Sequence, residues 1–197
     1  MTITNGYTTL DNIKALLRIK TTPADTTEDA LLERMVEDAS RLFDGESGRT
    51  FYARSETRYF DVPTGRSLWL DDDLLTVTAI TNGDGTEIAD TEYFLEPRNG
   101  SPKYKITLKQ ASTVRWATDG SGNTEGVIAV EGSWCYASSA PADVRGAVES
   151  IVTTTYRSRY GQNVQGAAQV TAAGVVITPQ DIPAEAWAVI RRYRRIV

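Results

Sequence analysis

The spacing of apolar positions changes twice along the chain. Leu10, Ile13, Leu16 and Leu17 recur at helical spacing and predict a short amphipathic helix over 9–18. Thr8-Thr9 opens it, with Asp11 three residues after Thr8 in a capping-box arrangement, and the linker Lys20-Thr21-Thr22-Pro23-Ala24-Asp25 breaks it. Thr26 or Thr27 is the expected cap of a second helix, with Glu28 and Asp29 at the positive end of its dipole. Its stripe is Leu31, Leu32, Met35, Val36, Ala39, Leu42 and Phe43, and Gly45 and Gly48 are expected to end it.

After residue 54 the period shortens. Ser55 to Val62 alternates weakly, Pro63-Thr64-Gly65 reads as a turn, and Ser67-Leu68-Trp69-Leu70 as a short strand. Asp71-Asp72-Asp73 reads as a solvated turn before the β-prone run Leu75 to Thr81. Asn82-Gly83-Asp84-Gly85 is a hairpin signal. Glu92 to Leu95, Lys105 to Leu108 and Gly126 to Gly132 are further strands, with turns at 97–102 and 118–123. Many short strands with polar turns predict a small sandwich or barrel-like unit.

Helical spacing returns at Pro141, a first-turn proline, with Val144, Val148, Ile151, Val152 and Tyr156 on the buried face and a stop at Gly161. Gln162 to Gly174 is uncharged and poor in bulk, which predicts a segment that does not pack as a stable element in the free chain. Val175-Val176-Ile177 reads as a short strand or extended contact, and a last helix starts near Pro183 and carries Trp187, Ile190 and Tyr193. The fold class is therefore α+β. A small helical bundle is built from both chain ends, 1–54 and 137–197, with an antiparallel β-rich insertion over 55–136.

Composition removes much of the usual catalytic toolkit. Among 197 residues there is no histidine and one cysteine, Cys135. His-based triads, imidazole general bases, disulfide frameworks and four-cysteine zinc sites are excluded. The one catalytic-looking feature is Asp71-Asp72-Asp73, since clustered carboxylates hold hard cations such as Mg²⁺; a metal-dependent hydrolase built on them is the enzyme alternative. Three adjacent side chains do not converge easily on one ion, and no second acidic motif has matching spacing, so the leading expectation is no catalytic site, metal or cofactor. Cys135 lacks a histidine to activate it and reads as a packed thiol. Trp69, Trp116 and Trp134 read mainly as core, with sugar stacking as a further option.

Charge separates the two ends. The net charge is −5: residues 1–140 hold 14 Lys and Arg against 22 Asp and Glu, whereas 141–197 hold 7 arginines against 4 acids. An acidic body disfavours coating of nucleic acid. Arg191, Arg192, Arg194 and Arg195 lie in the last seven residues beside Trp187 and Tyr193. Arginine and aromatics suit either a partner anchor or a solvated helix end. No window approaches the roughly 18 apolar residues of a membrane span, and the start lacks a signal-like h-region, so synthesis in the cytoplasm is expected.

Several segments in order resemble the head–tail connector (adaptor) proteins of tailed bacteriophages. They are Thr9-Leu10-Asp11-Asn12-Ile13-Lys14-Ala15-Leu16-Leu17-Arg18; Ser47-Gly48-Arg49-Thr50-Phe51; Thr57-Arg58-Tyr59-Phe60-Asp61; Leu68-Trp69-Leu70 with the three aspartates and Leu74-Leu75; and Pro141-Ala142-Asp143-Val144-Arg145 before a helix ending Tyr156-Arg157. The family's compact members are mostly helical, so the β block is a departure. The resemblance implies a structural, non-enzymatic virion protein in the particle neck, assembled after synthesis in the host cytoplasm. It implies a ring, commonly of twelve copies, beneath the portal protein. Such a ring extends the DNA channel without specific DNA binding and carries head-closure or tail proteins. It also implies that the C-terminal segment docks on the portal, here through Val175, Val176, Ile177, Trp187, Ile190, Arg191, Arg192, Tyr193, Arg194 and Arg195. Leu31, Met35, Leu42, Val144, Val148 and Ile151 are the expected ring-interface or core positions. A different neck or tail-completion protein of such a particle is the alternative within the class.

Overall fold

A computed structural model describes residues 2–19, 26–160, 169–170, 176–177 and 182–195. The chain divides into two compact units, one formed by Met1–Gly48 with Ala140–Val197 and one by Arg49–Ser139. The first is helical and the second is an antiparallel sheet, so the α+β class with an inserted β module holds.

The helical unit contains α1 (Leu10–Leu17), α2 (Asp29–Ser47), α3 (Ala142–Tyr160) and α4 (Ala184–Tyr193). Thr9 caps α1 by accepting from the Asn12 N–H at 3.3 Å, which satisfies one of the free donors of the first turn. The capping-box reading is corrected at Thr8: its hydroxyl donates to Glu149 on α3 at 2.6 Å. The expected cap of α2 is also corrected. Its N-cap is Glu28, without a side-chain cap bond, and the helix is entered through a turn in which the Asp29 N–H meets the Thr26 carbonyl. Gly45 lies inside α2; the helix ends at Gly48, whose φ of 68° is the left-handed cap geometry that glycine adopts without a steric penalty.

Packing selects a narrower stripe than the apolar pattern predicts. On α2 the buried positions are Leu32, Val36, Ala39, Ser40, Phe43 and Ser47. They meet Val144, Ala147, Val148, Ile151 and Val152 of α3 and Ala186 and Ile190 of α4 as the buried side chains of the unit. On α1, Ile13 is buried together with Lys14, which pairs with Asp29 of α2, while Leu16 is 46% exposed. Polar latches tie the helices together: the Tyr7 N–H donates to Ser40 Oγ at 3.0 Å, Tyr156 donates to Glu28, and Ser150 donates to Glu185 at 2.8 Å.

The β unit is one five-stranded antiparallel sheet in the order β1-β5-β2-β4-β3, with β1 Arg54–Phe60, β2 Ser67–Thr81, β3 Tyr93–Glu96, β4 Lys103–Leu108 and β5 Ile128–Trp134. β2 spans both the predicted Ser67–Leu70 strand and the Leu75–Thr81 run. The intervening aspartates are thus not a turn. Pairing passes from Trp69↔Lys105 to Leu74↔Lys103, so β2 gains extra residues between these pairs, and the bulge there bends the strand. Beyond it β2 pairs with β5, from Leu74↔Trp134 to Thr81↔Ala129. Leu68, Leu74, Ile80, Ile106, Ile128 and Trp134 fill the core, and the Trp134 indole donates to the Glu56 carbonyl at 3.1 Å.

The Asn82–Gly85 turn forms as expected, with the Asn82 N–H on the Thr86 carbonyl at 2.8 Å and the Ile88 N–H returning to Ile80. The Asn82 side chain adds a link that no turn rule supplies: it donates to the Arg115 carbonyl at 2.8 Å and accepts from the Ala117 N–H at 2.9 Å, fixing the irregular 115–117 stretch. Gln169–Val170 (β6), inside the stretch read as unpacked, pairs antiparallel with Val176–Ile177 (β7), part of the stretch read as a short strand or extended contact. The other residues of Gln162–Gly174, together with Val175, Gly161 and the linker 20–25, lie outside the described residues.

Gly132 on β5 tests the β packing. A Cβ there would run into the Thr76 carbonyl oxygen and Leu74 Cδ1 of β2. Gly132→Ala is expected to destabilise the β unit by about 1–3 kcal/mol through this overpacking, read as a lowered urea midpoint with Trp fluorescence as the probe.

Candidate interaction surfaces

The acidic run is answered by arginines. Arg49 engages both carboxylate oxygens of Asp73, which is 3% exposed. Arg54 donates to Asp72 at 2.6 Å, and Arg58 reaches Asp71 at 3.0 Å and Asp72 at 2.9 Å. The bulge interrupts the strand's alternation, so that consecutive Asp73 and Leu74 are both buried, and the buried carboxylate is tolerable because Arg49 Nη1 meets both of its oxygens. Burial works against the charge of Arg58, but the hydrogen bonds it donates to Glu56 and Asp71 and the nearby charge of Asp72 hold its pKa above the ordinary value. The same guanidinium lies 4.4 Å from the centre of the Trp134 ring. The three carboxylates are thus consumed in an ion-pair network that staples β1 and the 49–54 segment to the bend of β2. No cluster of three metal-ligating side chains occurs among the described residues.

Cys135 is fully buried, and burial pushes its thiol up, against the smaller opposing effects of Ser133 and Arg54. A thiol with that protonation and no access to solvent is a packing group. Trp116 and Trp134 are core as expected, but Trp69 is 64% exposed.

The C-terminal candidates divide by burial. In α4, Ile190 is 1% exposed and belongs to the helical core; Trp187 is half-buried. The Tyr193 hydroxyl donates to Asp143 at 2.9 Å, and Arg192 pairs with the same carboxylate at 3.2 Å. Arg195 is partly buried, and its N–H donates to the Ser47 carbonyl at 2.8 Å, closing the end of α2. Arg191 and Arg194 are exposed. The helix therefore presents arginines from a rigidly packed element. Val176 and Ile177 are placed by the β6–β7 ladder.

Of the ring-or-core positions, Val144, Val148 and Ile151 are buried in α3. Leu31 and Met35 are half-buried and Leu42 is 37% exposed, because they flank the buried stripe of α2. Met35 and Leu42 line a groove of about 500 Å³ together with Ile151, Thr155, Arg159 and Ile182. What sequence reasoning missed are the arginine partners Arg49 and Arg54; an Arg-rich segment just before three aspartates was the available signal.

The network ranks the aspartates by burial. Asp73→Ala removes the buried carboxylate that meets the largely buried Arg49 and is expected to cost about 3 kcal/mol, whereas Asp71→Ala, at a 67% exposed side chain, is expected to cost less than about 1 kcal/mol. Urea midpoints of the two variants measure the difference.

No protein-family model matches the chain, and no curated protein does. Solved structures do. A chain in the neck of an empty gene transfer agent (GTA) particle, computed with C6 symmetry, matches with a TM-score of 0.57 and 19% identity over 100% of this chain and 94% of that one. A chain in the virion of a native gene transfer agent particle gives 0.60 and 18% over 100% and 94%. One in the neck of a native GTA particle, computed with C12 symmetry, gives 0.54 and 19% over 98% and 95%. At that identity the likeness is one of fold, and it extends over both the helical and the β unit.

Proposed function

We propose that this chain is a structural protein of a phage-like virion neck, a head–tail connector that forms a ring beneath the portal and joins the capsid vertex to head-closure or tail proteins. The observation that carries this reading is the match, over 98–100% of the chain, to chains of gene transfer agent necks and virions. A shared fold does not by itself specify function, but a two-unit fold matched from end to end is a narrower likeness than one common domain. The rotational symmetries of two of those neck structures, C6 and C12, support a ring. The chemistry agrees. The acidic run is held by arginines and the thiol is buried, which favours a protein that works by contact and not by catalysis.

In this reading α4 carries the portal contact. Arg191 and Arg194 meet acidic portal surface, and half-buried Trp187 adds apolar area, a pairing of arginine and tryptophan that dominates many interfaces. The net acidity of the body lets DNA pass, since adhesion requires cations that neutralise phosphates.

Arg191→Glu with Arg194→Glu is the direct test, because neither side chain is in the core. The variant is expected to keep wild-type helicity and to lose at least tenfold in affinity for purified portal, measured by co-sedimentation at low and high salt. Unchanged binding removes α4 from the contact. Binding of wild-type chain to an assembled connector but not to portal replaces this reading with that of another neck or tail-completion protein.

A further inference from the structure

Charge in the β unit is segregated. Of its nine Lys and Arg, three (Arg49, Arg54 and Arg58) face the aspartates of the β2 bend. The other six are Arg66, Arg98, Lys103, Lys105, Lys109 and Arg115, and among the described residues only Lys105 makes a salt bridge, to Glu96 at 2.7 Å. Arg66, Lys103, Lys109 and Arg115 donate to backbone carbonyls instead, which fixes their position without cancelling their charge.

Strand register places Lys105 on the outer face of the sheet, and a concavity on that face gathers Arg66, Arg98 and Lys109 beside Phe94 and Thr107. Leu68, Ile106 and Leu95 lie across from one another and point into the core. The neighbouring rows, Trp69–Lys105–Glu96 and Ser67–Thr107–Phe94, therefore share the outer face. There Trp69 stacks on Tyr104 with ring planes 8° apart, and Lys105 Nζ lies 4.9 Å from the Trp69 ring centre. Arg98 covers Phe94 at 3.9 Å. A shallow concavity of about 610 Å³ opens between Arg66, Phe94, Arg98, Thr107 and Lys109. Rigid aromatics with fixed cations are the composition of a protein-binding surface.

The complementary surface is on the same unit. The turn beyond the far end of β2 carries Asp84, Glu87, Asp90 and Glu92 with no Lys or Arg between them, and none is in a salt bridge among the described residues. Glu87, Asp90 and Asp84 are exposed. Lys109 Nζ rests on the Thr91 carbonyl at one end of this turn, and the acids are still felt at its edge: burial, together with the charges of Asp90 and Glu87, pushes the Tyr93 phenol up. A closed ring of identical chains needs two different, mutually complementary patches on each chain.

We infer that the outer face of β2–β4–β3 docks a second copy of this chain through the carboxylates of its 84–92 turn, in a head-to-tail contact repeated around a ring. The contact rests on the ring reading above and assigns its β-unit interface. The net acidity of the unit, nine cations against thirteen acids, disfavours a densely charged phosphate backbone as the occupant.

The test uses the full chain and two charge reversals, Arg98→Glu with Lys109→Glu on the face and Glu87→Lys with Asp90→Lys on the turn. Sedimentation of wild-type protein at low ionic strength is expected to show salt-sensitive self-association. Each reversed variant alone is expected to lose at least tenfold in that association, and an equimolar mixture of the two is expected to regain it, because each then supplies the other's complement. Carbodiimide cross-linking of mixed light and heavy-isotope chains should join Lys103 or Lys109 of one copy to Glu87 or Asp90 of the other. If the variants assemble like wild type, or the mixture stays dissociated, this interface is wrong and the ring reading survives on other contacts. If wild-type chain assembles neither alone nor on portal, the ring reading fails and this contact with it. If the face instead retains a duplex DNA fragment, lost in the Arg98/Lys109 variant while self-association is absent, the occupant is nucleic acid and the proposal is overturned.

Discussion

The β unit depends on one strand turning a corner. β2 serves two neighbours, β4 through Ser67–Trp69 and again at Leu74, and β5 from Leu74 onward, and the passage from one to the other takes extra residues at the bend. Those residues are aspartates, whose mutual repulsion opposes the bend unless cations are supplied. Arg49, Arg54 and Arg58 supply them, and because they come from β1 and the segment before it, the neutralisation also fastens the first strand of the unit to its longest. The aromatic core follows from that placement, with Arg58 lying over Trp134 and Phe60 stacked beside the same indole at 6.0 Å. A feature that looks like a metal site in one dimension is an electrostatic rivet in three.

The helical unit solves a different problem. It is assembled from chain ends far apart in sequence, so its contacts carry a large ordering cost that apolar burial must offset. Phe43, Ile13, Leu32, Val148 and Ile190 are each almost completely removed from water. Orientation is set by polar groups at the seams: Thr8 on Glu149, Ser40 on the Tyr7 N–H, and Tyr193 on Asp143. With Ile190 and Ala186 in the core, α4 is part of the fold, and the exposed Arg191 and Arg194 are what it has left to offer a partner.

The alternation of helical and strand periods made the class, the element order and most element bounds legible, because each element buries one face. The errors lie where tertiary contacts overrode a local rule. Thr8 donates to Glu149 and leaves the backbone cap of α1 to Thr9, and Glu28 starts α2 because a turn back to the Thr26 carbonyl satisfies the Asp29 N–H with backbone. The aspartates read as a turn because turn propensity contains no term for arginines 13–24 residues away. At the candidate surfaces, the sequence marked the C-terminal arginines by their density, but burial alone distinguishes Ile190 from Arg191. Lys105, Arg98 and Lys109 are not legible as a group, since only the pairing of β2, β4 and β3 and the concavity beside it bring them to the face of Trp69 and Phe94.

The β unit begins and ends at adjacent points: the Tyr136 N–H donates to the Thr50 carbonyl at 2.8 Å, just inside its first and last residues. For the helical unit, the insertion is therefore a loop of about 90 residues when unfolded but behaves as a short connector when folded. By the logarithmic dependence of closure entropy on loop length, that difference is worth about 3 kcal/mol to the association of α1 and α2 with α3 and α4. Folding of the sheet thus acts on the helices through chain connectivity, and damage to the β core is transmitted to them as an entropic penalty.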